Sequence, residues 1–149
     1  MQPRGEVHID PADLAGDTFA GEIELVVPYT DPEMTRAVLA RAEALTAGLA
    51  ARVSLVAVHS MPYPAPFVCP ASTHAFLVEQ LMDLAGGCRL PVVSQIVMAR
   101  SRDEGFRYSL KSEATVLVGT RRHFWRTAEE RLAKMFAAEG HKVILLHVD

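Results

Sequence analysis

Apolar residues fall along this chain in two alternating patterns. Short, largely β-branched runs occur at Ile23 to Pro28, Val53 to Val58, Pro91 to Met98, Thr115 to Val118 and Val143 to Val148. Runs of this length, bounded by Gly, Pro or polar residues, predict buried strands. Between them the apolar spacing becomes helical. Met34, Val38, Ala42, Leu45 and Leu49 recur on one face, with Glu33, Arg36 and Glu43 opposite. Leu77, Leu81, Leu84 and Cys88 form a second such face, with Glu79 and Asp83 turned outward. Ser101 with Glu104 is a capping box that opens a short third helix through Leu110. Thr127 with Glu130 is another, and Leu132, Met135 and Phe136 share one face of the last helix, which stops at Gly140. The first helix takes its N-cap from Thr30 or Asp31, with Pro32 in its first turn. The second takes its cap from Ser72 or Thr73. Gly119 reads as a turn residue closing the fourth strand.

Strand and helix therefore alternate from Ile23 onward, which predicts a parallel α/β sandwich. Residues 22–149 form that domain. Residues 1–21 are rich in Gly, Pro and Asp, lack periodicity, and read as an arm or linker. Ser94 and Gln95 interrupt the third strand, a polarity that suits a sheet edge. Ser60 to Ser72 contains four prolines, so it is neither a helix nor an inner strand. It is either a surface crossover packing Tyr63 and Phe67 or a lid over a ligand.

Composition narrows the function classes. Half of the 149 residues are apolar, enough for one folded core. The net charge of −3 gives no general attraction to nucleic acid or anionic membrane. Cys69 and Cys88 are not in a C-x-x-C pair and read as free thiols of a reducing cytoplasm, small apolar residues in character. No apolar run approaches the ~20 residues of a membrane helix, and the start of the chain lacks an export signal pattern. A cytoplasmic location is the expectation. His8, His59, His74, His123, His141 and His147 lack ligand spacing, so no metal site is expected. Neither a nucleophile elbow nor a phosphate loop with G-x-x-x-x-G-K-S/T is present, so no catalytic constellation emerges. Asp31 and Asp103 are plausible acids near strand ends. Both are explained as helix-start carboxylates, favoured by the helix dipole.

The order of elements resembles the universal stress protein family. TVLVGT followed by a loop, one helix and KVILLHV is similar to that family's carboxyl-terminal half. IELVVPYTDPEMTRAVLARAEAL is similar to its opening strand, turn and helix, and VSLVAVHS to its second strand. The resemblance spans about Glu22 to Val148. It implies a three-layer, Rossmann-like sandwich of the adenine nucleotide hydrolase kind, with a five-stranded parallel sheet in the order 3-2-1-4-5. The order reverses between the first and fourth strands, where such folds set their sites. Tyr29, Thr30, Asp31, Gly119, Thr120, Arg121 and Arg122 are the candidates there, beside helix N-termini that favour anions.

Nucleotide-binding members of the family carry a G-x-x-G pair after the fourth strand, then a longer spacer, then Gly followed by Ser or Thr. Bare backbone N–H groups of such a loop wrap phosphates. Here Gly119 stands at the first position, Arg122 at the second glycine, and Leu132 and Ala133 at the final pair. Thr30 occupies the place of the acidic residue that ends the first strand, with Asp31 one later. The departure argues against ATP or AMP binding of the family type. Arg121, Arg122, His123 and Arg126 with Phe124 and Trp125 form a basic, aromatic cluster. It reads as side-chain anion capture, as a contact for an acidic partner, or as a solvated loop whose rings pack on the domain.

A long apolar edge strand needs cover. The fifth strand, Val143 to Val148, predicts a homodimer built on the same strand of a second copy, although the helices could also hide its one exposed face. The expected function is a stress-related or regulatory module without bound ATP and without enzymatic activity. Two alternatives stand beside it: a nucleotide- or anion-binding regulator using Arg121 and Arg122, and a cytosolic regulatory domain serving a membrane transporter or a signalling partner. No nucleic-acid partner and no membrane insertion are expected.

Overall fold

Alternation in the first strand sends Leu25 and Val27 into one core and Val26 into another. That two-sided burial is what a parallel sheet between helical layers requires. The computed structural model describes residues 23–64, 66–68, 70–110, 114–121 and 128–148. Its strands are β1 (Ile23–Pro28), β2 (Ala51–Ser60), β3 (Val92–Ala99), β4 (Thr115–Thr120) and β5 (Lys142–His147). They alternate with helices α1 (Pro32–Leu45), α2 (Ala71–Gly86), α3 (Arg102–Ser109) and α4 (Ala128–Ala138). All neighbouring strands are parallel, and the sheet order is β3-β2-β1-β4-β5.

That order explains the layers. The chain moves one way from β1 to β3, then crosses back to β4 and moves the other way. Right-handed crossovers in opposite directions put their helices on opposite faces. Accordingly Met34, Val38, Leu39 and Ala42 of α1 and Leu81 and Leu84 of α2 share one core with Leu25, Val27, Leu55 and Leu117. Phe106 of α3 and Leu132, Ala133 and Phe136 of α4 share the other with Val26, Val56, Val116 and Val118. Phe106 and Phe136 meet edge to face, with centroids 6.0 Å apart. The architecture is the expected three-layer sandwich with order 3-2-1-4-5.

Several local expectations change. The first helix stops at Leu45, and Leu49 is not part of it. The Thr46 hydroxyl donates to the Ala42 carbonyl at 2.8 Å, and Gly48 turns the chain at φ +81. Helical spacing persists in the sequence there, yet Leu45 and Leu49 are 50% and 58% exposed. The second helix starts at Ala71, with extended Pro70 at the N-cap position and no side-chain cap. His74 N–H donates to the Pro70 carbonyl at 2.9 Å, so Ser72 and Thr73 lie inside the first turn. Two of the three other expected starts hold, and the third, Thr127, lies outside the described residues. Asp31, rather than Thr30, caps α1 by accepting from Met34 N–H at 2.8 Å, and Ser101 caps α3 by accepting from Glu104 N–H at 3.2 Å. Strand β3 is an edge, as expected, but Gln95 is buried within it.

The largest revision concerns Gly119. It is not a turn residue: it lies inside β4, opposite Leu146 of β5. Gly140, at φ +93, does turn the chain between α4 and β5. The arm 1–21, Cys69, Arg122, the His123–Arg126 cluster and Thr127 lie outside the described residues.

Candidate functional site at the reversal of strand order

Strands β1 and β4 are neighbours that lead to helices on opposite faces. Their ladder joins Leu25 to Thr115 and Val26 to Val116, the middle of β1 to the start of β4. At the carboxyl ends stand Tyr29, Thr30 and Asp31 after β1, and Gly119, Thr120 and Arg121 at the end of β4. The fold thus gathers six of the seven candidates at one end of the sheet. The seventh, Arg122, is outside the described residues.

Each is held by local chemistry. Tyr29 N–H donates to the Val56 carbonyl at 2.7 Å, carrying β1 past its last strand residue. Thr30 N–H donates to the buried Thr35 hydroxyl at 3.3 Å. Asp31 spends one carboxylate oxygen on the α1 cap. Thr120 is fully buried, its hydroxyl 3.3 Å from the Arg121 carbonyl, and its own carbonyl accepts from Val148 N–H at 2.9 Å. Burial raises the Tyr29 phenol above its ordinary pKa, and the Asp31 charge adds to the rise.

Arg121 turns back onto the first turn of α1. Its Nη2 lies 2.8 Å from Glu33 Oε1, and its Nη1 lies 3.9 Å from Asp31 Oδ2. The anion-favouring N-terminus of α1 is therefore supplied with anions by the chain itself. Among the described residues, two carboxylates face one guanidinium, which leaves this crevice slightly negative. A polyphosphate would have to displace Glu33 from Arg121 and would still meet both carboxylates. The anion-capture reading of Arg121 loses ground accordingly.

Gly119 explains itself by packing. A Cβ at this position would lie 2.5 Å from Val38 Cγ2 and 2.6 Å from Met34 Sδ. The missing side chain lets α1 settle on β4. It faces the helix from within the strand.

Glu33 and Thr35 were not among the sequence candidates. A carboxylate in the first turn of the helix after β1, with an arginine after β4, is a signal that could have raised Glu33. Thr35 carried no such signal, because its value lies in burial under the β1–α1 turn. Asp103 sits exposed in the first turn of α3, as a helix-start carboxylate.

Among the described residues, no group of three or more His, Cys, Asp or Glu comes together to hold a metal ion. Among the same residues, no helix is long and apolar enough to cross a membrane. A scan against protein-family models and a search of curated proteins each find nothing that matches this chain.

Proposed function

We propose that this protein is a regulatory module of the universal stress protein type. In this reading it acts as a cytoplasmic homodimer joined through β5, and it does not grip a nucleoside triphosphate with a glycine loop after β4. The resemblance of the opening and closing elements supports the first part, together with the parallel sheet in the order β3-β2-β1-β4-β5.

One observation carries the second part. Arg121 is bonded to Glu33 at 2.8 Å over the first turn of α1, and Asp31 caps that same helix. The positive end of the helix is already satisfied, so a phosphate has little to gain there. Gly119 adds to this, since its lack of a side chain serves contact with Met34 and Val38.

For the dimer, the support is the character of β5. It is an edge strand with half-buried Val143 and Ile144 and partly exposed Leu145. Such an edge invites pairing with a second copy.

Mass spectrometry of the purified protein after denaturation tests the reading. The expected result is no nucleotide released. A nucleotide released in amounts equal to the protein would refute it.

A further inference from the structure

A second cleft opens at the carboxyl end of β3, away from the β1–β4 reversal. Its volume is about 390 Å³, and its walls come from two segments. One wall is the proline-rich segment after β2, through Tyr63 and Phe67. The other is α3, through Glu104 and Tyr108. Met98, Ala99 and Arg100 form the floor.

Arg100 makes the first wall rigid. Its guanidinium carbon sits 4.1 Å from the Tyr63 ring centre and 4.8 Å from that of Phe67. Its Nη1 donates to the Met61 carbonyl at 3.1 Å. A cation held against two rings and a backbone carbonyl clamps the irregular segment to the end of β3. The opposite wall is equally anchored. Gly105 of α3 lies so close to β2 that a Cβ there would be 2.5 Å from Val58 Cγ1.

Two aromatic rings remain available to a guest, since Tyr63 is 78% exposed and Tyr108 is 40% exposed. Exposed aromatic rings on two anchored segments of one cleft suit a flat guest. Arg100 and Glu104 bring opposite charges, so the cleft has no net charge to attract an ion. The Glu104 carboxylate can only accept hydrogen bonds when ionised, so it selects a guest with an N–H donor.

We infer that this cleft is a binding site for a small, uncharged, planar nitrogen heterocycle bearing an N–H donor. The ring packs on Tyr108 and beside the Arg100–Tyr63 pair, and turns its donor edge to Glu104. The inference is independent of the function proposed above, because it uses none of the residues at the β1–β4 reversal.

Saturation-transfer NMR on the full chain tests it, with nicotinamide and indazole as probes and nicotinate as the anionic control. Both neutral probes should show transfer, and nicotinate should bind more weakly because it offers Glu104 a carboxylate acceptor in place of an N–H donor. Tyr63→Ala and Tyr108→Ala should each weaken binding about tenfold, the usual scale for a lost stacking partner. Both side chains are solvent-exposed, and circular dichroism would verify that the variants remain folded. Glu104→Gln should narrow the gap between nicotinamide and nicotinate. No transfer to either neutral probe would overturn the inference. So would equal binding of nicotinate, or transfer that survives the Tyr63→Ala/Tyr108→Ala double variant.

Discussion

Gly119 and Val38 approach so closely that a methyl group on residue 119 would stand 2.5 Å from Val38 Cγ2. A side chain there must push α1 away from β4 or force Val38 and Met34 from their positions. Gly119→Ala is therefore expected to cost about 1–3 kcal/mol, the usual range for overpacking a filled core. Urea unfolding measures it. The same loss should appear with and without ATP, because the glycine serves packing. Adding Val38→Ala removes the opposing methyl group, so the double variant should lose less than the sum of the two single losses.

Arg121 and Glu33 make a short but open ion pair, with side chains 38% and 87% exposed. Solvent screens such pairs, which are worth about 0–1 kcal/mol. Arg121→Ala should leave the urea midpoint nearly unchanged. Asp31→Ala should cost about 0.5–2 kcal/mol, because it removes the cap from Met34 N–H. Equal, large losses for both variants would show that the ion pair bears more of the fold than this geometry allows.

Alkaline pH should weaken the protein through two groups. Burial, then the Asp31 charge, raises the Tyr29 pKa; burial raises that of Cys88, with Glu43 adding to the rise and a backbone hydrogen bond at Leu90 opposing it. The native state therefore holds these protons more tightly than the unfolded chain does. Stability falls as pH climbs from each unfolded pKa through the raised native one, and neither group contributes pH dependence well below that window. Urea midpoints measured across the alkaline range should decline. Cys88→Ala should flatten the lower part of that decline, and Tyr29→Phe the upper part.

The open edge at β5 gives a prediction about assembly. Leu145 is 38% exposed on this strand. The wild-type chain is expected to scatter light as a dimer at micromolar concentration. Leu145→Arg should convert it to a monomer with an unchanged circular dichroism spectrum, since charge on an edge strand blocks pairing. A monomeric wild type would remove the dimer from the account.

Much of the fold is legible in the apolar spacing. The succession of strands and helices follows from it, and so does the cap at Ser101, while the choice of Asp31 over Thr30 needed the structure. The strand order came from the resemblance, because periodicity says nothing about which strands are neighbours. Element ends were harder to read. Apolar spacing runs through Leu49 although Thr46 and Gly48 end the helix. At the start of β2, Arg52 is drawn into the sheet beside Glu24 of β1, 3.5 Å away, so the strand begins at Ala51. The site shows the same limit. Its backbone positions could be named in advance, but Arg121 and Glu33 lie 88 residues apart, and no local pattern joins them. In the sequence Gly119 reads as a turn, because glycine commonly marks one. Only the position of α1 reveals that it is a contact point.

Titration calorimetry with magnesium-ATP addresses the central claim most directly. Arg121 already pairs with the carboxylates that sit at the head of α1, so the account predicts no binding heat at millimolar nucleotide. Saturable binding of one ATP per chain, weakened by Asp31→Ala, would contradict it.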